Sequence, residues 1–266
     1  MSKIAIIDSG VGGLSIYQAI KKELPEQDYL FVSDNQAFPY GTKPAEQLKT
    51  RVFEIVERVI QQFNPDLLVI ACNTASTVVL PLLREHFSLP IVGVVPAIKP
   101  AAKQSKTKKI GLLATPATIN RSYTDELIQE FASDCEVIRV GSSRLVEIAE
   151  DKLAGRAVNT EQITEILEPF IEAEELDSIV LACTHFPLLN KEIESILEVN
   201  SHSIKLVDSG QGIANRVVQL CDSLSKSESD AGHNSSLAVF TDLDALGEPF
   251  IEQIHKLGFK ETLELS

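Results

Sequence analysis

Short apolar runs rich in Ile, Val and Leu alternate along the chain with longer stretches in which apolar residues recur every three or four positions. The runs predict strands at 3–7, 28–32, 66–72, 90–94, 109–114, 135–140, 177–183, 204–208 and 236–240. The amphipathic stretches predict helices at 12–23, 44–63, 75–87, 118–132, 144–153, 160–174, 188–199, 210–223 and 244–256. Continuously apolar strands separated by helices point to an α/β fold with mostly parallel sheets covered on both faces. Ligands in such sheets bind beyond the carboxyl ends of the strands. The residues that follow each run are therefore where chemistry is expected.

Two predicted strands end in nearly the same way. Val69-Ile70-Ala71-Cys72-Asn73-Thr74 and Val180-Leu181-Ala182-Cys183-Thr184-His185 each close an apolar run with a cysteine and small hydrogen-bonding residues, 111 positions apart. A lone cysteine in such a place is most often a buried apolar residue. Repetition of the setting favours two working thiols on opposite sides of one substrate. Removing a proton from one face of a carbon and returning one to the other needs such a pair, so racemisation is the leading idea. A second echo, Asp8-Ser9-Gly10 and Asp208-Ser209-Gly210, lies 200 positions apart and is read as further duplication. Because the spacings differ, the halves are not tandem copies. A first domain made of 1–95 plus 208–266, with a second domain of 96–207 inserted into it, accommodates both echoes. The stretch from Val94 to Lys109 reads as one crossing and 200–208 as the return; the Ser-rich stretch 223–236 reads as a mobile surface loop.

The chain has 266 residues, enough core for one large domain or two modest ones. No apolar stretch approaches the roughly 18–20 residues that span a bilayer. An acidic residue already closes the first apolar run at Asp8, leaving no room for a signal peptide, so a cytoplasmic protein with free thiols is expected. A net charge of −14 repels phosphate backbones, which argues against nucleic acid as a partner, and nothing marks a membrane partner. The one basic stretch, Lys99 to Lys109 with five lysines, lacks interleaved aromatics and reads as a solvated linker.

Asp8-Ser9-Gly10-Val11-Gly12-Gly13 follows the first strand and opens a helix. Its glycines permit close backbone approach, and a helix N-terminus favours an anion. The spacing is not the dinucleotide pattern G-x-G-x-x-G. Asp8 or Ser9 serves here either as a helix cap or as a partner for a ligand ammonium group or a nearby base. Cys72 and Cys183 lie where a strand gives way to a helix, a place that lowers a thiol pKa; Cys135 and Cys221 lack these neighbours and read as core. Asn73, Thr74, Thr184 and His185 offer hydrogen bonds to a carboxylate, and His185 can act in acid–base chemistry. A hydrolase pairing of Cys183 with His185 is disfavoured, because sequence neighbours at a helix start seldom face each other. The cysteines and His185 lack metal-ligand spacing, and no lysine sits in a pyridoxal phosphate context, so neither metal nor cofactor is expected. Asp34 and Phe38-Pro39-Tyr40-Gly41 form a rigid loop that presents the Tyr40 hydroxyl. Thr115-Pro116-Ala117-Thr118 is another capping, anion-friendly turn.

Taken together, Asp8-Ser9-Gly10-Val11-Gly12-Gly13, Pro39-Tyr40-Gly41, Ala71-Cys72-Asn73-Thr74-Ala75, Ala182-Cys183-Thr184-His185-Phe186-Pro187-Leu188-Leu189 and Val207-Asp208-Ser209-Gly210 resemble the glutamate racemases of the aspartate/glutamate racemase superfamily, over nearly the whole chain. The resemblance implies two pseudo-symmetric α/β domains with the active site in the cleft between them. It also implies cofactor-independent interconversion of L- and D-glutamate, with D-glutamate supplied to peptidoglycan synthesis. It assigns proton abstraction from D-glutamate to Cys72 and from L-glutamate to Cys183, with Asp8 and His185 assisting. Asp8, Ser9, Tyr40, Gly41, Asn73, Thr74, Thr115, Thr118, Thr184 and His185 are implied to bind substrate. Asp34 and Glu150 are implied to stand behind them, Glu147 being a competing match for Glu150. A homodimer and a UDP-muramyl-alanine activator are the further partners that the resemblance suggests. The rival readings are an aspartate or hydantoin racemase, a catalytically silent binding protein for acidic amino acids, and a thiol hydrolase.

Overall fold

The computed structural model describes residues 1–200, 203–224 and 236–266, so most of the Ser-rich stretch lies outside the described residues. The strands are β1 (Lys3–Asp8), β2 (Asp28–Ser33), β3 (Leu67–Ile70), β4 (Ile91–Gly93), β5 (Lys109–Ala114), β6 (Glu136–Gly141), β7 (Ser178–Leu181), β8 (Lys205–Val207), β9 (Ser236–Phe240) and β10 (Glu261–Glu264). The helices are α1 (Gly13–Glu23), α2 (Ala45–Phe63), α3 (Asn73–His86), α4 (Ile98–Gln104), α5 (Pro116–Ile119), α6 (Ser122–Phe131), α7 (Arg144–Leu153), α8 (Thr160–Ile171), α9 (Asn190–Val199), α10 (Gly210–Ser223) and α11 (Glu248–Lys256). None of the described helices is long and apolar enough to cross a membrane.

The strands form a six-stranded sheet, β10-β9-β2-β1-β3-β4, and a four-stranded sheet, β6-β5-β7-β8. Every pairing is parallel. Alternation along a strand splits each run between two cores. In β1, Ile4 and Ile6 enter one apolar cluster while Ala5 and Ile7 enter the other. In the second sheet, Ile179 and Leu181 of β7 point to one side and Val180 to the other. Burying each such side chain stabilises the fold by roughly 1.5–3 kcal/mol, which is why these runs carry no polar alternation.

The order β2-β1-β3-β4 is repeated as β6-β5-β7-β8. The β3 exit is fixed by the Ala71 amide donating to Ile7 O at 2.7 Å, and the β7 exit by the Ala182 amide donating to Leu113 O at 2.8 Å. The two cysteines that follow therefore stand at equivalent strand ends. The Asp-Ser-Gly echo, by contrast, is not a structural equivalence. Asp8 ends the inner strand β1, whereas Asp208 follows β8 at the edge of the other sheet. What the two share is local: each carboxylate accepts from an amide at the start of the next helix, Asp8 from Gly13 at 2.6 Å and Asp208 from Gly210 at 2.7 Å.

Three elements differ from the sequence pattern. The Lys-rich crossing is not a bare linker, because α4 buries Ile98, Ala101 and Ala102 while Lys99 lies 4.7 Å over the Phe131 ring. The helix expected at 118–132 is two helices, broken at Asn120-Arg121, where the Thr124 hydroxyl caps back onto Thr118 O at 2.6 Å. Strand β10 had no apolar-run signal: Glu261-Thr262-Leu263-Glu264 is an edge strand with charged residues at both ends, held by pairing with β9.

Candidate active site

The carboxyl ends of β1, β3, β5, β6 and β7 face one another across a small cavity of about 110 Å³. Its wall is built from both sheets. The first contributes Asp8, Ser9, Cys72, Asn73, Thr74 and the loop from Phe38 to Thr42; the second contributes Thr115, Ser143, Val146, Glu147, Cys183, Thr184 and His185. Both cysteines are only 8% exposed, so each thiol meets the cavity and little else.

Asp8 is fully buried and anchored on both oxygens. Oδ1 accepts from the Ser9 amide at 2.7 Å; Oδ2 accepts from the Gly13 amide at 2.6 Å and from the Thr184 hydroxyl at 3.2 Å. Asp8 is not the N-cap of α1, which is Gly12; it accepts from the Gly13 amide from outside the helix while lining the cavity. Burial pushes its carboxyl up to about 6, against the pull of His185 and of the Ser9 and Gly13 amides. The Cys72 thiol is held well above its ordinary value, first by burial and then by the Asp8 carboxylate, with the Ala75 amide pulling the other way. The lowering expected of a helix-start thiol is therefore outweighed, because desolvation of a buried thiolate exceeds what one helix terminus returns.

Cys183 has a different companion. Its Sγ lies 3.8 Å from Nδ1 of His185, whose Nε2 is 2.7 Å from Oε1 of Glu150. The expectation that Cys183 and His185 would not face each other is overturned. The chain after Cys183 turns tightly, with the Phe186 amide donating to Cys183 O at 3.1 Å, before a 3-10 turn over Phe186–Leu189 and α9, so side chains two apart converge. Burial pulls the imidazole down, but its contacts with Cys183 and Glu150 outweigh this and hold it well above its ordinary value. Glu150 itself is set by the Val11 amide, which donates to Oε1 at 2.8 Å. A side chain at Gly10 would run into that oxygen, and one at Gly12 into the His185 ring, so the glycine-rich turn seats the His185–Glu150 pair. Glu147 pairs instead with Arg144 at 2.6 Å, at the cavity rim.

The hydroxyls of Thr74, Thr115 and Thr118 form a triangle with sides of 3.2, 3.1 and 3.1 Å, joining α3 of the first sheet to α5 of the second. Thr74 and Thr115 reach the cavity. Thr118, expected beside them, is not among the lining residues: it is fully buried and bonded to both of their hydroxyls. Asp34 likewise lies behind the wall, bonded to the Tyr40 hydroxyl at 2.7 Å. Asn73, which lines the cavity, has its Oδ1 buried with no hydrogen-bond partner among the described residues. Ser143 and Val146, at the start of α7, carried no motif; their position after β6, at a strand's carboxyl end, was the available signal. Cys135 and Cys221 are partly exposed rather than core, packed at the margins of apolar clusters. Among the described residues, no group of three or more His, Cys, Asp or Glu side chains is placed to hold a metal ion.

The model of the Asp/Glu/Hydantoin racemase family matches residues 4–217. A glutamate racemase of Pectobacterium atrosepticum is 50% identical over 222 residues, covering 83% of this chain and 77% of its own. One from Pasteurella multocida is 46% identical over 264 residues, covering 99% and 96%. Among solved structures, Escherichia coli glutamate racemase in complex with L-glutamate and the activator UDP-MurNAc-Ala superposes with a TM-score of 0.93 at 42% identity, covering all of this chain and 98% of that one.

Proposed function

Because the chain belongs to the Asp/Glu/Hydantoin racemase family, we propose that it is a glutamate racemase that works with two opposed thiols. The observation that carries the mechanism is the pair of cysteines at equivalent strand ends of two sheets, lining one cavity and each backed by its own acid–base group. Asp8 stands behind Cys72; the His185–Glu150 pair stands behind Cys183.

In the L to D direction, Cys183 as thiolate takes the Cα proton of L-glutamate. The electron pair left on Cα spreads into the α-carboxylate, and the Cys72 thiol delivers its proton to the opposite face. The cysteines end with their protonation states exchanged, and the D to L direction runs the same steps backwards. Because Cα–H is a very weak acid, developing charge must be met by fixed donors in a water-poor cleft. In this reading Ser9, Asn73, Thr184 and their backbone amides hold the α-carboxylate and ammonium group, while Gly41, Thr74 and Thr115 hold the distal carboxylate beside Tyr40, whose own hydroxyl proton goes to Asp34. His185 accepts or returns the Cys183 proton through the 3.8 Å contact, and Glu150 holds the ring. No step uses a cofactor.

The same reading takes 1–95 with 208–266 as one domain and 96–207 as the other, closing on glutamate between them. It places the enzyme in the cytoplasm, its D-glutamate feeding peptidoglycan synthesis. The bound UDP-MurNAc-Ala of the Escherichia coli relative supports the same precursor as an activator here, and a homodimer is the assembly this reading adopts.

Proton NMR of L-glutamate with the protein in D2O, with and without the muramyl precursor, tests the proposal. Loss of the Cα–H signal together with D-glutamate on chiral analysis is the expected result. Exchange of aspartate but not glutamate moves the substrate to a sister racemase, and binding without exchange leaves an acidic amino-acid binding protein.

A further inference from the structure

The loop from Phe38 to Thr42 closes one wall of the cavity, and polar side chains that never touch the cavity hold it from behind. Asp34 is fully buried. Its Oδ2 accepts from the Tyr40 hydroxyl at 2.7 Å and from Arg51 Nε at 2.9 Å. Its Oδ1 accepts from Arg51 Nη2 at 2.6 Å and from the Thr241 hydroxyl at 2.9 Å. Arg51 Nη2 also donates to Gln36 Oε1 at 3.1 Å. The neighbouring Asn35 exchanges two bonds with the backbone of Asp242, at 2.6 and 3.0 Å, so the loop is tied to the exit of β9 as well.

Arg51 sits on α2 between the buried Leu48, Val52 and Ile55, with its guanidinium turned onto Asp34. It is the one cation bonded to that carboxylate among the described residues. A buried carboxylate needs such a partner to remain ionised, and the guanidinium fork meets both of its oxygens at once. Tyr40 thereby spends its hydroxyl on Asp34, and its ring is fixed. What the loop then offers the cavity is its backbone and Gly41, packed so closely on Thr115 that a Cβ at Gly41 would lie 3.2 Å from that side chain.

We propose that Arg51 is a positioning residue for substrate binding: its two-point clamp on Asp34 fixes Tyr40 and so sets the height of the Phe38–Thr42 loop over Thr115. The inference rests on the reading of this cavity as the glutamate site. Arg51 touches no reacting atom, and both thiols stand on other elements. Its loss therefore weakens binding of both glutamate isomers while leaving proton transfer nearly intact. Lysine at this place keeps the charge but cannot bond both oxygens in one plane.

Steady-state racemisation in both directions, with thermal unfolding alongside, tests the clamp in Arg51→Met, Arg51→Lys and the double variant Asp34→Asn/Arg51→Met. The expected result is a KM raised about tenfold for L- and D-glutamate alike in Arg51→Met with kcat within about twofold, and Arg51→Lys in between. Should Arg51→Met fail to fold around its unpaired carboxylate, the double variant removes that charge, leaves an acceptor for Tyr40, and is expected to show the same raised KM. An unchanged KM in whichever of these variants folds, a fall in kcat alone, or an Arg51→Lys no better than Arg51→Met overturns the clamp. Wild-type protein that fails to racemise glutamate in the same assay overturns the functional reading, and the clamp with it; an active wild type beside an unmoved Arg51→Met overturns the clamp alone.

Discussion

At the scale of single residues, the site sets two thiols against unlike partners. Replacing Cys72 or Cys183 by alanine is expected to lower racemisation by about a thousandfold or more, while deuterium exchange at Cα persists on the face of the remaining thiol; near wild-type turnover in either variant rules out the two-base scheme. Asp8, with its carboxyl near 6, gives the reaction a pH signature. Below that value the group is protonated and cannot draw a proton from Cys72, so kcat/KM for D-glutamate, the direction in which Cys72 is the base, should fall with unit slope as pH drops through 6, and Asp8→Asn should lower the plateau and erase that limb. The same group acts on stability with a defined sign. Its folded pKa lies above the 3.8 of an ordinary carboxyl, so the folded state binds the proton more tightly across that window. The folded state therefore loses about 3 kcal/mol as pH rises from below 4 to above 6. Urea unfolding of the wild type against Asp8→Asn, measured at pH 4 and pH 7, should show the difference shifting towards the variant at the higher pH.

At the scale of elements, what was legible in the sequence was whatever an apolar run or a doubled motif announces. The nine predicted strands have counterparts, most plainly β1, β3, β5 and β7, whose buried interiors are unbroken apolar runs. Strand β10 was not legible, since Glu261-Thr262-Leu263-Glu264 is a short edge strand with charges at both ends and a single apolar residue, and reads as a tail. Helix α4 was hidden by its lysines, which lie on the outside of a seven-residue helix whose buried face is mostly alanine. In the site, residues adjacent to the cysteines could be named because they share one motif with them. Ser143 and Val146 come from a separate element, and only the three-dimensional meeting of β6 with β5 brings them to the cavity. The direction of the Cys72 shift was not legible either, since burial of a thiol is a property of everything packed around it. One local device tests the element scale: the Asn159 side chain caps α8 by accepting from the Gln162 amide at 3.1 Å. Asn159→Ala should lower stability by about 1 kcal/mol in chemical denaturation while leaving kcat and KM unchanged.

At the scale of the whole molecule, the cavity belongs to neither sheet alone. Val11 reaches Glu150, Thr184 reaches Asp8, and Ser15 donates to Thr184 O at 2.8 Å, so groups from one sheet orient the acid–base groups of the other. A ligand that bridges the cavity should therefore stabilise both halves together. L-glutamate at about a hundred times its Kd is expected to add about 2.7 kcal/mol and raise Tm by several degrees in a single transition; two separated transitions, only one of them moved, would show the halves to be energetically independent. The pairing of β2 with β9, Tyr29 beside Ser236, bears on a different matter, the order in which the chain can assemble. All four strands of the second sheet lie between residues 109 and 207, so it closes from one continuous segment, whereas the first must wait for a strand some two hundred residues downstream. Loop closure of that length is slow. A nascent chain emerging from the ribosome therefore completes its second sheet first, and until the last strands arrive β2 presents an unpaired apolar edge to whatever else is in reach.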